Sequence, residues 1–257
     1  MVAMLKALNK YYNKPTDGNA AGRSFFSLFS IIFIFIFLGL DSQLFADTYF
    51  DGRNLVTLIV IIYFFTMLQT ADSRLRRLML IMVPLSYIGE IIFCNILDMY
   101  DYRENRIPLY VPFGHAILYG SGYMFAFTKW ANKHDAIMKK IFLLFFGALF
   151  IGAGLIFFDI LSLILGILFF RALRRKKWLT LYYYVAIYVL IVEFTGTYFS
   201  VWAWDAYTLG FIPTVNPPVG AVFLYIGGDA VLLRVMRFMQ KKNILQPIDY
   251  SRPAETW

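Results

Sequence analysis

Four acidic residues, Glu90, Asp159, Glu193 and Asp229, fall inside long apolar stretches of the chain. A charged group at the centre of a bilayer costs about 2.5–3.5 kcal/mol on insertion scales, so an acid kept there faces the interior of a bundle. A carboxyl group beside a second titratable group makes a general acid and a base. His115, in the run Val-Pro-Phe-Gly-His-Ala, is the candidate second group. At 1.5 Å per residue, Glu90 lies roughly 12 Å below the boundary marked by Asp98, and His115, entering from Pro108, lies roughly 10 Å down. Glu193 precedes Trp204 by eleven residues, a similar depth, and Asp159 follows a turn at the same end. The expectation is a catalytic set of Glu90, Glu193, His115 and Asp159 in a pocket that opens outward. Tyr102, Trp204, Tyr119 and Asn216 are its expected substrate contacts. Each also has a structural reading, as a packing hydrogen bond or as part of an interfacial aromatic belt. Asp229 follows Gly227 and Gly228, which allow close helix contact, and reads as packing.

Prolines frame the same region. Pro108 and Pro213 suit the first turn of a helix, where a missing N–H costs nothing. Pro112, Pro217 and Pro218 lie a turn deeper and free backbone carbonyls, which is tolerated only where protein or water covers them. That places a cavity near His115 and Asn216.

The elements that must position these residues are membrane spans. Of 257 residues, 60% are hydrophobic and 16% charged, with a mean hydropathy of +0.63. Soluble domains are nearer half apolar and a quarter charged. Apolar runs cover roughly 24–40, 54–71, 78–97, 108–126, 141–173, 179–201 and 212–233. The run 141–173 is too long for one untilted span. Basic residues flank it on both sides, and Lys and Arg mark cytoplasmic loops, so it reads as a hairpin turning near Gly152–Gly154.

The fold class that results is all-α: a polytopic bundle of about eight helices with both termini inside. Only Arg53, Arg103 and Arg106 of the 24 basic residues then fall outside, leaving 21 on the cytoplasmic side. The net charge of +8 is thus an orientation signal, with attraction to anionic headgroups secondary. Residues 1–23 form a cytoplasmic tail or an interfacial helix over 2–12, 24–238 the bundle, and 239–257 a cytoplasmic tail. The first 23 residues carry no signal-peptide cleavage pattern.

Two segments resemble each other. Each has an intramembrane glutamate (Glu90, Glu193) and then an aromatic-x-aromatic exit (Tyr100 and Tyr102, Trp202 and Trp204). An Ile-Pro follows (Pro108, Pro213), then a second proline four residues on (Pro112, Pro217), and Leu-Tyr before glycine. The similarity predicts two parallel repeats of four helices, about 24–130 and 137–238. Parallel repeats are found in transporters and serve membrane enzymes equally.

The run from Glu90 through Tyr100 and Tyr102 to Pro108 and the helix after it resembles the integral-membrane carotenoid-biosynthesis hydratases. His115 stands near the place of that family's Trp. The resemblance covers about a quarter of the chain and implies proton-driven addition of water to an isoprenoid double bond.

Three functions remain open at this point. The chain is an enzyme acting on a lipid or isoprenoid by acid–base chemistry, a small proton-coupled transporter, or an assembly subunit whose acids pair with another membrane protein. The expected partners are membrane lipid or isoprenoid and, for the assembly reading, a membrane-protein partner or a second copy, with no nucleic acid. The expected location is the bacterial inner membrane. One cysteine, Cys94, excludes an internal disulfide and multi-thiolate metal sites, and two histidines exclude a His-rich di-iron site. No nucleotide or dinucleotide motif is present, so no cofactor and no metal are expected.

Overall fold

A computed structural model describes residues 20–245, so the interfacial helix expected over 2–12 lies outside the described residues. The chain runs as α1 (Ala20–Leu40), a short α2 (Gln43–Thr48), α3 (Arg53–Thr70) and α4 (Ser73–Glu90). The last of these widens into a π-helix over Ile91–Ile96. A strand β1 (Tyr100–Tyr102) and a 3₁₀ turn (Arg103–Asn105) lead to α5 (Val111–Ala126) and a short α6 (Lys129–Lys133). Then come α7 (Asp135–Ile156), α8 (Ile160–Arg175), α9 (Thr180–Tyr198), β2 (Trp202–Trp204), β3 (Tyr207–Thr208), β4 (Ile212–Pro213) and α10 (Val222–Lys241).

The chain is a helical membrane protein. Six helices among the described residues are long and apolar enough to cross a bilayer. α5 and α8, at 16 residues each, are shorter. Phe25, Leu144, Leu155 and Ile167 are among the large apolar side chains turned outward, as expected of helices solvated by lipid rather than water.

Four boundaries differ from the sequence expectation. The hairpin within 141–173 turns at Phe157–Asp159 and not at the glycines. Gly152 and Gly154 stay helical, and a Cβ on Gly154 would press within 3.1–3.4 Å of Leu163, so that glycine serves helix packing. Phe158 takes φ +56°, and the Asp159 carboxylate caps the next helix by accepting from the Ser162 N–H. The last long helix begins at Val222, not at 212. Pro213, Pro217 and Pro218 cannot donate to a helix, and the chain there forms β4 and a 3₁₀ turn at Val219–Ala221. Pro112, not Pro108, occupies the first turn of α5. Arg23, assigned to the tail, lies in α1, where its Nε donates to the Thr70 carbonyl at 2.9 Å.

α5 forms the centre, packed along α1, α4 and α9, while α10 packs along α4, α8 and α9. The α5–α9 crossing is tight. A Cβ added to Gly122 would sit 2.8 Å from the Val185 Cα and 2.9 Å from its N. Backbone cannot rotate aside as a side chain can, so Gly122→Ala is expected to separate the two helices and lower stability by about 1–3 kcal/mol. Thermal unfolding in detergent measures it, with Gly147→Ala, where an added Cβ meets nothing within 4 Å, as the comparison.

Candidate functional site

The π-helix of α4 and the end of α9 are each followed by a residue in the left-handed region, Asp98 (φ +48°) and Ser200 (φ +55°). Each turn sends the chain into a short strand two residues later. β1 and β2 pair antiparallel, Tyr100 with Trp204, Asp101 with Ala203 and Tyr102 with Trp202. Cross-strand partners point to the same side, so the four aromatic side chains share the inner face while Asp101 and Ala203 face outward.

An isolated two-stranded ribbon is marginal in stability. This one is held from below by two glutamates. Oε2 of Glu90 accepts from the Tyr100 hydroxyl at 2.9 Å and the Tyr102 hydroxyl at 2.7 Å. Oε2 of Glu193 accepts from the Trp202 indole N–H at 3.1 Å and the Trp204 indole N–H at 3.0 Å. The two halves use the same geometry with different donors. Burial and the neighbouring Glu90 push the Tyr100 and Tyr102 hydroxyls well above the usual phenol range, so both stay protonated donors.

His115 joins this arrangement from α5. Its Nε2 lies 2.9 Å from Oε1 of Glu90, and its ring stacks on Tyr225 of α10 with centroids 5.0 Å apart and planes 7° from parallel. Glu90 thus accepts hydrogen bonds through Oε2, while Oε1 lies at ion-pair distance from the imidazole. Oε1 of Glu193 has no protein hydrogen-bond partner among the described residues.

These groups line one cavity of about 440 Å³ between α1, α4, α5, α9 and α10. Glu90, Glu193, His115 and the tyrosine and tryptophan donors cluster under the ribbon, and Phe33, Ile34, Met82, Ile117 and Leu118 make the rest of the wall apolar. Of the expected set, the structure therefore brings together Glu90, Glu193, His115, Tyr102 and Trp204.

The other three lie elsewhere. Asp159 is fully buried in the α7–α8 turn, where its carboxylate takes both the N–H and the hydroxyl of Ser162, whose oxygen accepts the Gly220 N–H at 2.8 Å. Its depth matched the site, but it acts as a cap. Asn216 accepts the Trp204 backbone N–H at 3.1 Å, holding the ribbon from outside and lining a separate shallow depression beside α9. Tyr119 points to the opposite end, donating to Asp229 at 2.9 Å.

Sequence reasoning missed Tyr100, Trp202 and Tyr225 as site residues. The alternation in Tyr-Asp-Tyr and Trp-Ala-Trp is the strand signal that pointed to the first two, in runs of only three residues. Tyr225 had no signal beyond its being aromatic.

It also missed the cluster beside the ribbon. Asp41, fully buried, accepts from Arg53 Nε at 3.3 Å, Arg103 Nη2 at 2.8 Å and the Tyr110 hydroxyl at 2.7 Å. Arg53 also reaches Glu104 at 3.1 Å and the Arg103 carbonyl at 2.8 Å, and Arg103 reaches Asp51 at 2.5 Å. The network meets the cavity lining at Tyr110, and the four ribbon rings that line that end, where an opening was expected, are all buried.

The Arg103 hydrogen bond holds the Asp51 carboxyl below the usual carboxylate range. A depressed carboxyl stabilises the folded state above its ordinary pKa and loses that contribution as the pH falls through the lowered value. Arg103→Ala is expected to cost about 1.5–3 kcal/mol, because Asp41 loses a charged hydrogen bond while buried. The same variant is expected to be less stable above the ordinary carboxylate range and to lose less further stability as the pH falls, read from unfolding temperature against pH.

No family model matches this chain, and neither a curated protein nor a solved structure is significantly similar to it.

Proposed function

We propose that this protein is a membrane enzyme that performs acid–base chemistry on a double bond of a lipid or isoprenoid. One observation carries the reading: two glutamates and a histidine converge beneath the four aromatic rings of the ribbon, with Tyr225 stacked on the histidine, on a single, otherwise apolar cavity. Apolar walls suit a lipid-soluble molecule, and the polar groups are confined to one place where a reacting carbon would sit.

Glu193 is the acid, because Oε1 is left without a protein partner while both indole N–H groups fix the other oxygen. Its proton passes to one carbon of the alkene. The neighbouring carbon becomes cationic, and the faces of the surrounding Tyr and Trp rings attract that charge. A water oxygen adds to the cation, and its surplus proton passes to the Glu90–His115 pair acting as base. A proton is then returned to Glu193, so the sum is alkene plus water to alcohol. This is the reaction that the resemblance to carotenoid-biosynthesis hydratases implies.

The reading includes the finer topology. The eight helices of 16 residues or more all cross the membrane, with both termini cytoplasmic and the ribbon at the outer face, in the bacterial inner membrane. The matched Glu90 and Glu193 segments belong to two parallel repeats related by an axis through the ribbon. The common geometry of the two glutamates and the pairing of β1 with β2 support that symmetry.

The test needs no known substrate. Purified protein in nanodiscs made with lipid extracted from its native membrane is incubated in D₂O, and the neutral lipids are analysed by mass spectrometry. A neutral lipid gaining carbon-bound deuterium, with the protein present and not without it, is expected. No deuterium uptake in any lipid overturns the reading.

A further inference from the structure

The ribbon end of the cavity is walled by four buried rings, and the exposure of the lining elsewhere points to another way in. The lining side chains are buried or half-buried with three exceptions, Ile88 at 53% and Ile92 at 39% exposure on α4, and Val231 at 47% on α10. Ile88 and Ile92 are one turn apart on the same face. Across from them on α10, Gly227 and Gly228 also line the cavity. A Cβ at Gly228 would meet nothing within 4 Å, and one at Gly227 only the Phe223 ring, at 3.6 Å. Both helices belong to candidate membrane spans, and in a bilayer these exposed apolar side chains would meet lipid.

We propose that the cavity is filled from within the bilayer, through a lateral port between α4 and α10 that takes the apolar chain of a lipid-soluble molecule and leads it to the glutamates. The rim is Ile88, Ile92, Gly227, Gly228 and Val231. Every rim residue is apolar, so a chain crossing it gives up lipid contact for protein contact with no polar group to desolvate. The two glycines keep the gap wide, since any larger side chain there would project into it. The port deepens the enzymatic reading of the cavity and rests on it for the identity of the cargo, but it is read by occupancy, not turnover.

The experiment uses the full chain in nanodiscs containing a long-chain alkyl diazirine, photolysed and mapped by peptide mass spectrometry. Ile117 and Leu118 line the cavity but are only 3% and 4% exposed, so lipid outside the bundle cannot reach them. Label on these two residues is expected in the native protein. Gly228→Trp, and more weakly Gly228→Leu, is expected to remove it while label on the lipid-facing Leu144 persists. Gly152→Trp, also at a glycine with open space but outside the cavity lining, is expected to leave the cavity label intact.

Unlabelled Ile117 and Leu118 in the native protein overturn the port, as does label that survives in a folded Gly228→Trp. Labelling of the same residues by a charged, water-soluble diazirine in place of the alkyl probe also overturns it, since access would then be from water. If Glu90→Gln and Glu193→Gln keep full turnover, the acid–base reading fails while the occupancy result stands.

Discussion

Glu193→Gln is expected to keep the fold and to lower deuterium incorporation by about 10²–10⁴-fold, the range general acid–base catalysis contributes. The substitution is nearly isosteric. The amide oxygen can accept both indole N–H groups now bonded to Oε2, so Trp202, Trp204 and the ribbon stay in place. What is lost is the acidic proton on the second oxygen, because an amide NH₂ does not deliver a proton at neutral pH. Glu90→Gln is expected to act differently. Its amide oxygen can still take both tyrosine hydroxyls, but its NH₂ then faces Nε2 of His115, which must become an acceptor. The carboxylate half of the proposed base is lost, and an imidazole nitrogen accepting from the amide is no longer free to take the proton. Both variants should unfold near the native temperature, so lost turnover would be chemical. Native turnover in both removes the acid–base mechanism.

The second large effect is on stability, at the opposite end of the bundle. Asp229, 1% exposed, accepts from the Tyr119 hydroxyl at 2.9 Å and the Tyr182 hydroxyl at 2.8 Å, and it is ion-paired with Lys176. These partners come from α5, from the start of α9 and from the end of α8, so one carboxylate joins four helices. Asp229→Ala strips all three donors at once and leaves a largely buried ammonium without its counter-charge. Breaking a buried pair in this way costs about 3–5 kcal/mol. A double-mutant cycle separates the pair from the cavity left behind: Asp229→Asn with Lys176→Met is expected to be more stable than the sum of the single changes predicts. Strict additivity would mean the ion pair contributes nothing and the tyrosines hold the joint alone.

The bundle was legible in the sequence because membrane spans are written locally, in runs of apolar residues and the charges between them. Glu90, Glu193 and His115 were legible because an ionisable residue in such a run stands out. What could not be read was pairing between distant segments. Asp41 meets Arg103 across 62 residues, and Tyr119 meets Asp229 across 110. Nothing near Asp41 marks it as buried; it lies in a polar loop with other acids. Asp159 failed in the opposite sense. Depth alone grouped it with the glutamates, whereas its cap role depended on Ser162 three residues on, a pattern of Asp before a helix that was present and went unread. The Gly152–Gly154 turn was misplaced because small residues suit both a turn and a close helix crossing, and only the neighbouring Leu163 decides between them.

The π-helix at Ile91–Ile96 bears on how unequal sequences reach equal geometry. Tyr100 and Tyr102 lie 10 and 12 residues beyond Glu90, while Trp202 and Trp204 lie 9 and 11 beyond Glu193. One segment is longer by a single residue over the same span. In a regular α-helix an inserted residue turns everything after it by about 100° and advances it 1.5 Å, which would swing the tyrosines off the carboxylate. A π turn takes in the extra residue by bonding to the fifth residue along, as Leu97 does to Ile92, and hands the chain on in its original phase. The irregular turn thus works as a phase corrector. It lets the two halves drift in length while the angular relation of each glutamate to its aromatic pair is conserved.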